Sequence, residues 1–334
     1  MGYNTETANN MTTKVWPASC HHTAILLSLL MAVSLLQAQD ITFMPQWTPQ
    51  AQFAGFYVAY EKGFYADEGL NVNIVHTGQH STESIADMLE SGDIHIGGMQ
   101  TMQAIVSRSK GVPLVNIMQI TQNTGLCCVS HTPLHSVADL SGKKTGKWKK
   151  GYYEVCEILA TKENVDIDWV SFVNGINLFV YGAIDATLCF SFNELIRLEL
   201  AMGDIPQENV LHFSETGYSY PEDGLWVTES YWKQNREAIE KFARASIRGW
   251  KWANENKEET LEISRKYVNE GHVATNDILE SMMLDEYLRL QTNPHTGNMD
   301  YEKITEDVFD RIVNDLYNAG LIGTKVEYDK IIRR

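Results

Sequence analysis

Residues 88–120, MLESGDIHIGGMQTMQAIVSRSKGVPLVNIMQI, decide the reading of the fold. A helical segment stops at Ser91 and Gly92, a short strand follows at Ile94 to Ile96, and apolar residues then recur at helical spacing from about Met99 to Lys110. Gly111 leads into a second apolar strand, Pro113 to Ile120. Strand, helix and strand joined by short glycine-bearing turns predict a mainly parallel sheet covered by helices on both faces.

The same pattern extends upstream. Ile41 to Trp47 reads as a strand ending in a turn bracketed by Pro45 and Pro49, and Ala51 to Glu61 has helical spacing ended by Gly63. Asn71 to Val75 alternates as a strand and 82–90 as a helix, so the first unit is β-α-β-α-β-α-β. The pattern then restarts. Strands are expected near Lys144, at Trp169 to Phe172, at Ala186 to Phe190 and at Val210 to Phe213, with helices at Tyr152 to Lys162, Asn174 to Tyr181 and Asn193 to Met202. Leu225 to Thr228 is strand-like, and Arg236 to Glu255 and Lys257 to Val268 are amphipathic helices. The expected organisation is one α/β lobe, 39–125 with 225–334, into which a second lobe, 126–224, is inserted. Two chain crossings are placed near Thr121 to His131 and Glu215 to Leu225. Lobes joined in this way can close on a small molecule, held by loops beyond the strand ends.

Composition bounds the partners. Among 334 residues, Lys+Arg 27 against Asp+Glu 43 gives a net charge of -16. Binding to a nucleic-acid backbone or an anionic membrane surface needs the opposite sign. Ala24 to Leu36 is uncharged, apolar and too short to span a bilayer, which matches the core of a secretory signal peptide spanning residues 1–38. Cys20 precedes the apolar run, so a lipoprotein arrangement is not met. Glu6 and Lys14 cancel, leaving the whole acidity on the exported portion. Cys127, Cys128, Cys156 and Cys189 would remain there, too few for a disulfide scaffold and without a CxxC, and the vicinal pair Cys127-Cys128 is read as small buried hydrophobes.

Trp47, Gln52, Phe53 and Tyr57 follow the first strand, an aromatic and amide mixture suited either to a flat heterocycle or to core packing. In Gly97 to Thr101 the glycines would let a ligand approach the backbone at a helix N-terminus. His76 and His80 frame another strand end and read as solvated loop histidines rather than metal ligands. The loop Gly146 to Tyr153 opens a helix with Lys147, Lys149 and Lys150, a position that favours an anion or a solvated lysine cluster; with Lys143 and Lys144 it makes one basic edge. Ser191, Asn193 and Glu194 follow the strand ending at Phe190, with Glu194 able to pair with a ligand amine and Asn193 able to cap a helix. No P-loop, GxGxxG or GxSxG pattern is present.

The segments Gln46-Trp47-x-Pro49, AYEKGFYADEGLNVNI, MLESGDIHIGG, KGVPL, DLSGKK and GAIDA together resemble the NMT1/THI5-like (SsuA/ThiY-like) periplasmic solute-binding proteins, from about residue 41 into the C-terminal helices. The resemblance implies a type II periplasmic-binding-protein fold with a helical C-terminus, a monomer that traps a small solute and delivers it to an ABC permease and its ATPase. Members take thiamine pyrimidine precursors, alkanesulfonates, taurine or nitrate, and the Trp after strand one resembles the pyrimidine branch. On that reading Trp47, Phe53 and Tyr152 stack on the ligand, Gln52, Gln100 and Asn193 hydrogen-bond to it and Glu194 pairs with its charge. Tyr57, His80, Met99, Thr101, Trp148, Asn174 and Ser191 complete the lining. No cofactor is expected. The family also contains iron-dependent thiamine pyrimidine synthases, which consume pyridoxal phosphate and a histidine of their own chain. Here Met99 stands at the lysine position and Gln103 at the histidine position, and Tyr218 to Thr228 has no cysteine, which disfavours that chemistry.

Overall fold

The computed structural model describes residues 1–2, 38–76, 84–149, 152–173 and 175–333. The signal-peptide reading, and the candidates His80 and Asn174, lie outside the described residues. Residues 39–334 form one unit. Among the described residues no helix is long and apolar enough to cross a membrane.

The chain begins as an α/β alternation. Strand β1 (Gln39–Met44) pairs in parallel with β2 (Leu70–Ile74) and β3 (Ile96–Gln100), linked by α1 (Ala54–Glu61), the short α2 (Phe64–Asp67) and α3 (Ile85–Ser91). Helix α4 (Thr101–Ser109) leads to β4 (Leu114–Gln119). In the second half, β5 (Leu126–Ser130), β6 (Lys144–Trp148), α5 (Tyr153–Glu163), β7 (Asp168–Phe172), α6 (Asn177–Val180), β8 (Ala186–Phe190), α7 (Glu194–Met202) and β9 (Val210–His212) follow. The chain then returns through β10 (Asp223–Thr228).

Two five-stranded sheets result, ordered β2-β1-β3-β10-β4 and β7-β6-β8-β5-β9. Both are mixed rather than mainly parallel. The reason is the pair of crossings: β10 inserts antiparallel between β3 and β4 on its return, and β5, the first strand beyond the outward crossing, runs antiparallel to β8 and β9. The crossings lie side by side. Ile120 and Thr121 both donate their N–H to the Asp223 carbonyl, at 2.8 and 3.2 Å, and Asp223 N–H donates to Thr121 Oγ1 at 3.0 Å.

The rest is helical: α8 (Glu229–Glu255), α9 (Lys257–Glu270), α10 (Asp277–Gln291), α11 (Glu306–Asn318) and α12 (Tyr328–Ile331). Helix α8 is broken at Asn235, so the periodicity seen from Arg236 onward is its second segment, while Thr228 caps the first through Tyr231 N–H. The α1–α8 contact is close because it is made at glycines: a Cβ on Gly249 would sit 2.1 Å from Gly55 O, and one on Gly55 2.0 Å from the Trp250 ring. Beneath them Phe43 of β1 packs between Phe56 and Phe242. The C-terminal helices also reach the second sheet's half. Lys162 of α5 meets Asp315 of α11 at 3.0 Å, and Ser191 donates to Glu286 of α10 at 2.6 Å.

Candidate ligand-binding site

The crossing strap brings Glu222 and Asp223 to the junction of the two sheets, both buried. Glu222 accepts hydrogen bonds from the Thr124 hydroxyl and from Gly125 N–H, the latter at 3.2 Å. Asp223 Oδ2 accepts from Gln52 Nε2 at 2.8 Å and from the Tyr287 hydroxyl at 2.7 Å, and Gln50 in turn donates to Gln52 Oε1 at 2.5 Å. Burial is the main force on both acids. It pushes the Glu222 carboxyl up to about 8 against its hydrogen bond from Thr124, with the neighbouring Asp223 charge adding to the rise. Asp223 is raised by the same burial and held back by Tyr287 and Gln52.

Aromatic walls flank these acids. On the second sheet's side Trp148 and Tyr152 lie 4.8 Å apart, Tyr152 meets Phe190 edge-on at 4.7 Å, and Phe190 stacks on Phe192 at 5.0 Å, which in turn meets Tyr287 edge-on. Tyr152 adopts φ 59°, an unusual conformation for a residue with a Cβ, and it turns the chain from β6 into α5. Burial first, then the negative charges of Asp223, Glu222 and Glu194, hold its phenol protonated. Glu194 is buried, raised by that burial, and accepts from Phe190 N–H at 3.0 Å. Gln100, Thr124, Tyr152, Tyr218, Tyr220 and Glu222 line a cavity of about 10 Å³, and the buried Gln100 Nε2 has no hydrogen-bond partner among the described residues.

The other candidates are placed differently. Met99, Thr101 and Ser191 are committed to the protein: Met99 O accepts from Trp226 Nε1 at 3.0 Å, and Thr101 N–H and hydroxyl both reach Glu222 O, at 2.7 and 3.0 Å. Asn193 is half-buried at the N-terminus of α7, where its side chain forms no cap. Phe53 and Tyr57 are buried behind the loop after β1, and Tyr57 stacks on Tyr267 at 4.0 Å. That leaves Trp47, 37% exposed, as the open aromatic of this loop.

His76 differs from the solvated residue expected. Its Nδ1 lies 2.8 Å from Trp47 O and its Nε2 2.9 Å from the Tyr57 hydroxyl. Burial lowers its pKa, so the ring is neutral, donates from Nδ1 to Trp47 and accepts from Tyr57 at Nε2. The glycine loop also differs. Gly97 and Gly98 lie within β3 and the helix starts at Thr101. A Cβ on Gly97 would meet Ile85 at 2.4 Å and one on Gly98 would meet Gln46 Oε1 at 2.5 Å, so these glycines admit the protein's own chain. In the lysine-rich loop, Lys147 packs 5.4 Å over the Trp169 ring.

Two lobes joined by paired crossings, with buried polar groups between aromatic walls at the junction, define a type II periplasmic-binding-protein fold with a candidate solute site. The chain belongs to the family described as NMT1/THI5 like, which matches residues 50–260. It is 24% identical to riboflavin-binding protein RibY of Chloroflexus aurantiacus, covering 86% of this chain and 83% of that one. It is 26% identical to the formylaminopyrimidine-binding protein of Halalkalibacterium halodurans, covering 84% and 91%. At 22% identity it is also similar to a 4-amino-5-hydroxymethyl-2-methylpyrimidine phosphate synthase of Legionella pneumophila, covering 70% and 75%. The periplasmic aliphatic sulphonate binding protein SsuA of Escherichia coli shares its fold, with a TM-score of 0.64, 14% identity and coverage of 86% and 95%.

Proposed function

We propose that the chain is an exported, non-catalytic solute-binding protein that closes on a small heteroaromatic solute bearing an amino group, of the pyrimidine type, and delivers it to an ABC permease and its ATPase. The observation that carries this reading is the buried pair Glu222 and Asp223 beside the Gln100 amide, which has no partner among the described residues, with Tyr152 lining the same cavity as Gln100 and Glu222. A flat ring stacks on the aromatic surface. Its amino group donates to a carboxylate while a ring nitrogen accepts from Gln100 or from protonated Glu222. The acids disfavour a sulfonate, whose negative charge would be buried beside them with no counter-charge from either. The names of the two binding-protein relatives fit the same chemistry. The synthase reading needs a lysine amine where Met99 is buried.

The cavity holds only a water-sized molecule, so a ring must enter with the lobes parted along the crossings. A thermal-shift screen of aminopyrimidines, riboflavin and alkanesulfonates tests the assignment. Stabilisation by an aminopyrimidine or flavin supports it, because a ligand bound only by the folded state adds RT ln(1 + [L]/Kd). A shift with sulfonates alone overturns it.

A further inference from the structure

Cys127 on β5 and Cys189 on β8 face each other in register, both fully buried, with their sulfurs 3.3 Å apart. Ser191 N–H donates to Gly125 O at 2.8 Å and His131 N–H to Asp185 O at 3.1 Å, in the same register. Hydrogen-bonded pairs alternate along an antiparallel ladder, so Cys127 and Cys189 also form such a pair, with a Cα separation of about 5.5 Å. That spacing lies inside the range a disulfide spans. Cys128 points to the opposite face, opposite Leu188, and Cys156 lies on α5. The geometry thus selects one pairing among the four described thiols.

We infer that Cys127 and Cys189 are a disulfide-forming pair that staples β5 to β8 beneath the proposed site. The two S–H bonds break, one S–S bond forms, and two protons and two electrons pass to a disulfide donor, which is reduced to two thiols. Because the sulfurs are buried in the folded chain, the bond forms during folding, before β5 and β8 close over them. The staple stands two residues from Gly125, which donates to Glu222, and two from Ser191, which donates to Glu286. It therefore ties the end of the outward crossing to the end of β8.

The test is refolding of the full chain with a mixture of oxidised and reduced glutathione. The denatured product is alkylated without reduction, then digested and mapped by tandem mass spectrometry. The expected result is two fewer alkylated thiols than in a dithiothreitol-treated control, and a peptide cross-link from Cys127 to Cys189. Fragmentation between Cys127 and Cys128 assigns the linked sulfur even if a substituted chain fails to fold. The cross-link should survive Cys128→Ser and vanish in Cys127→Ser. Full alkylation after oxidation, or a link through Cys128 or Cys156, overturns the inference. The readout needs no ligand, so it stands apart from the test of the binding function.

Discussion

Thr124 on the outward crossing donates its hydroxyl to Glu222 on the returning one. The two connections between the lobes are thus joined through a buried carboxyl group, which also receives Gly125 N–H at the start of β5. A group placed there can touch a solute and influence the hinge together.

Glu222→Gln keeps the shape of that side chain and removes its titrating proton. The Thr124 bond can persist, while a ring nitrogen that accepts from the protonated carboxyl is left with an amide N–H, a weaker donor. Aminopyrimidine affinity at neutral pH should fall by about twofold to tenfold, the range of a neutral hydrogen bond. Isothermal titration calorimetry of both chains checks it, and unchanged affinity would remove Glu222 from the site.

The stability of the unliganded protein should decline on the alkaline side. The folded Glu222 carboxyl is raised to about 8, above its unfolded value, so the folded state holds a proton that the unfolded chain has lost. With more protons bound when native, unfolding free energy falls as pH rises. The contribution is complete below the unfolded pKa and disappears as pH passes through about 8. Denaturant midpoints from about pH 5 to pH 9 should drop in the parent, and the drop should be smaller in Glu222→Gln.

Gly98→Ala should disturb the loop that carries Trp47. The new methyl would push aside the end of the Gln46 side chain, whose Oε1 would lie 2.5 Å away, and would press on Gln46 N and Pro45 Cα at 3.2 and 3.3 Å. The backbone of this loop must give by a few tenths of an ångström, at the low end of overpacking costs, about 1 kcal/mol. A lowered melting temperature with weakened ligand binding is expected. A stable Gly98→Ala chain with parental affinity would contradict the close approach.

Asp315→Ala should loosen the grip of α11 on the other half of the molecule. The residue accepts from the Tyr220 hydroxyl at 2.5 Å and pairs with Lys162 at 3.0 Å. The partly exposed ion pair contributes at most about 1 kcal/mol, so most of the loss comes from leaving the buried Tyr220 hydroxyl unpaired. Stopped-flow release should be faster than in the parent. Lys162→Met, which spares Tyr220, should change it less.

The α/β alternation, its restart in the second half and the helical C-terminus are legible in the chain because each depends on local periodicity and turn residues. The glycine pair shows where local reading stops. Gly97 and Gly98 look like room for a ligand, and only the assembled sheet places Ile85 and Gln46 in that space. His76 looks like a loop histidine until β2 and the loop after β1 meet and it ties Trp47 to Tyr57.

Glu222 and Asp223 were hidden for the same reason. Two adjacent acids ending a polar loop read as solvated. The one local hint is their place between Pro221 and Gly224, with Tyr218 and Tyr220 just before and no basic residue nearby. The sequence by itself determined the succession of strands and helices, the acidity and the aromatic character of the loops, since these are properties of neighbouring residues. Which charges are buried, which aromatics remain open and which thiols face each other was decided by the tertiary structure. Burial and charge proximity arise between residues as far apart as Gln52 and Asp223, and no local pattern encodes them.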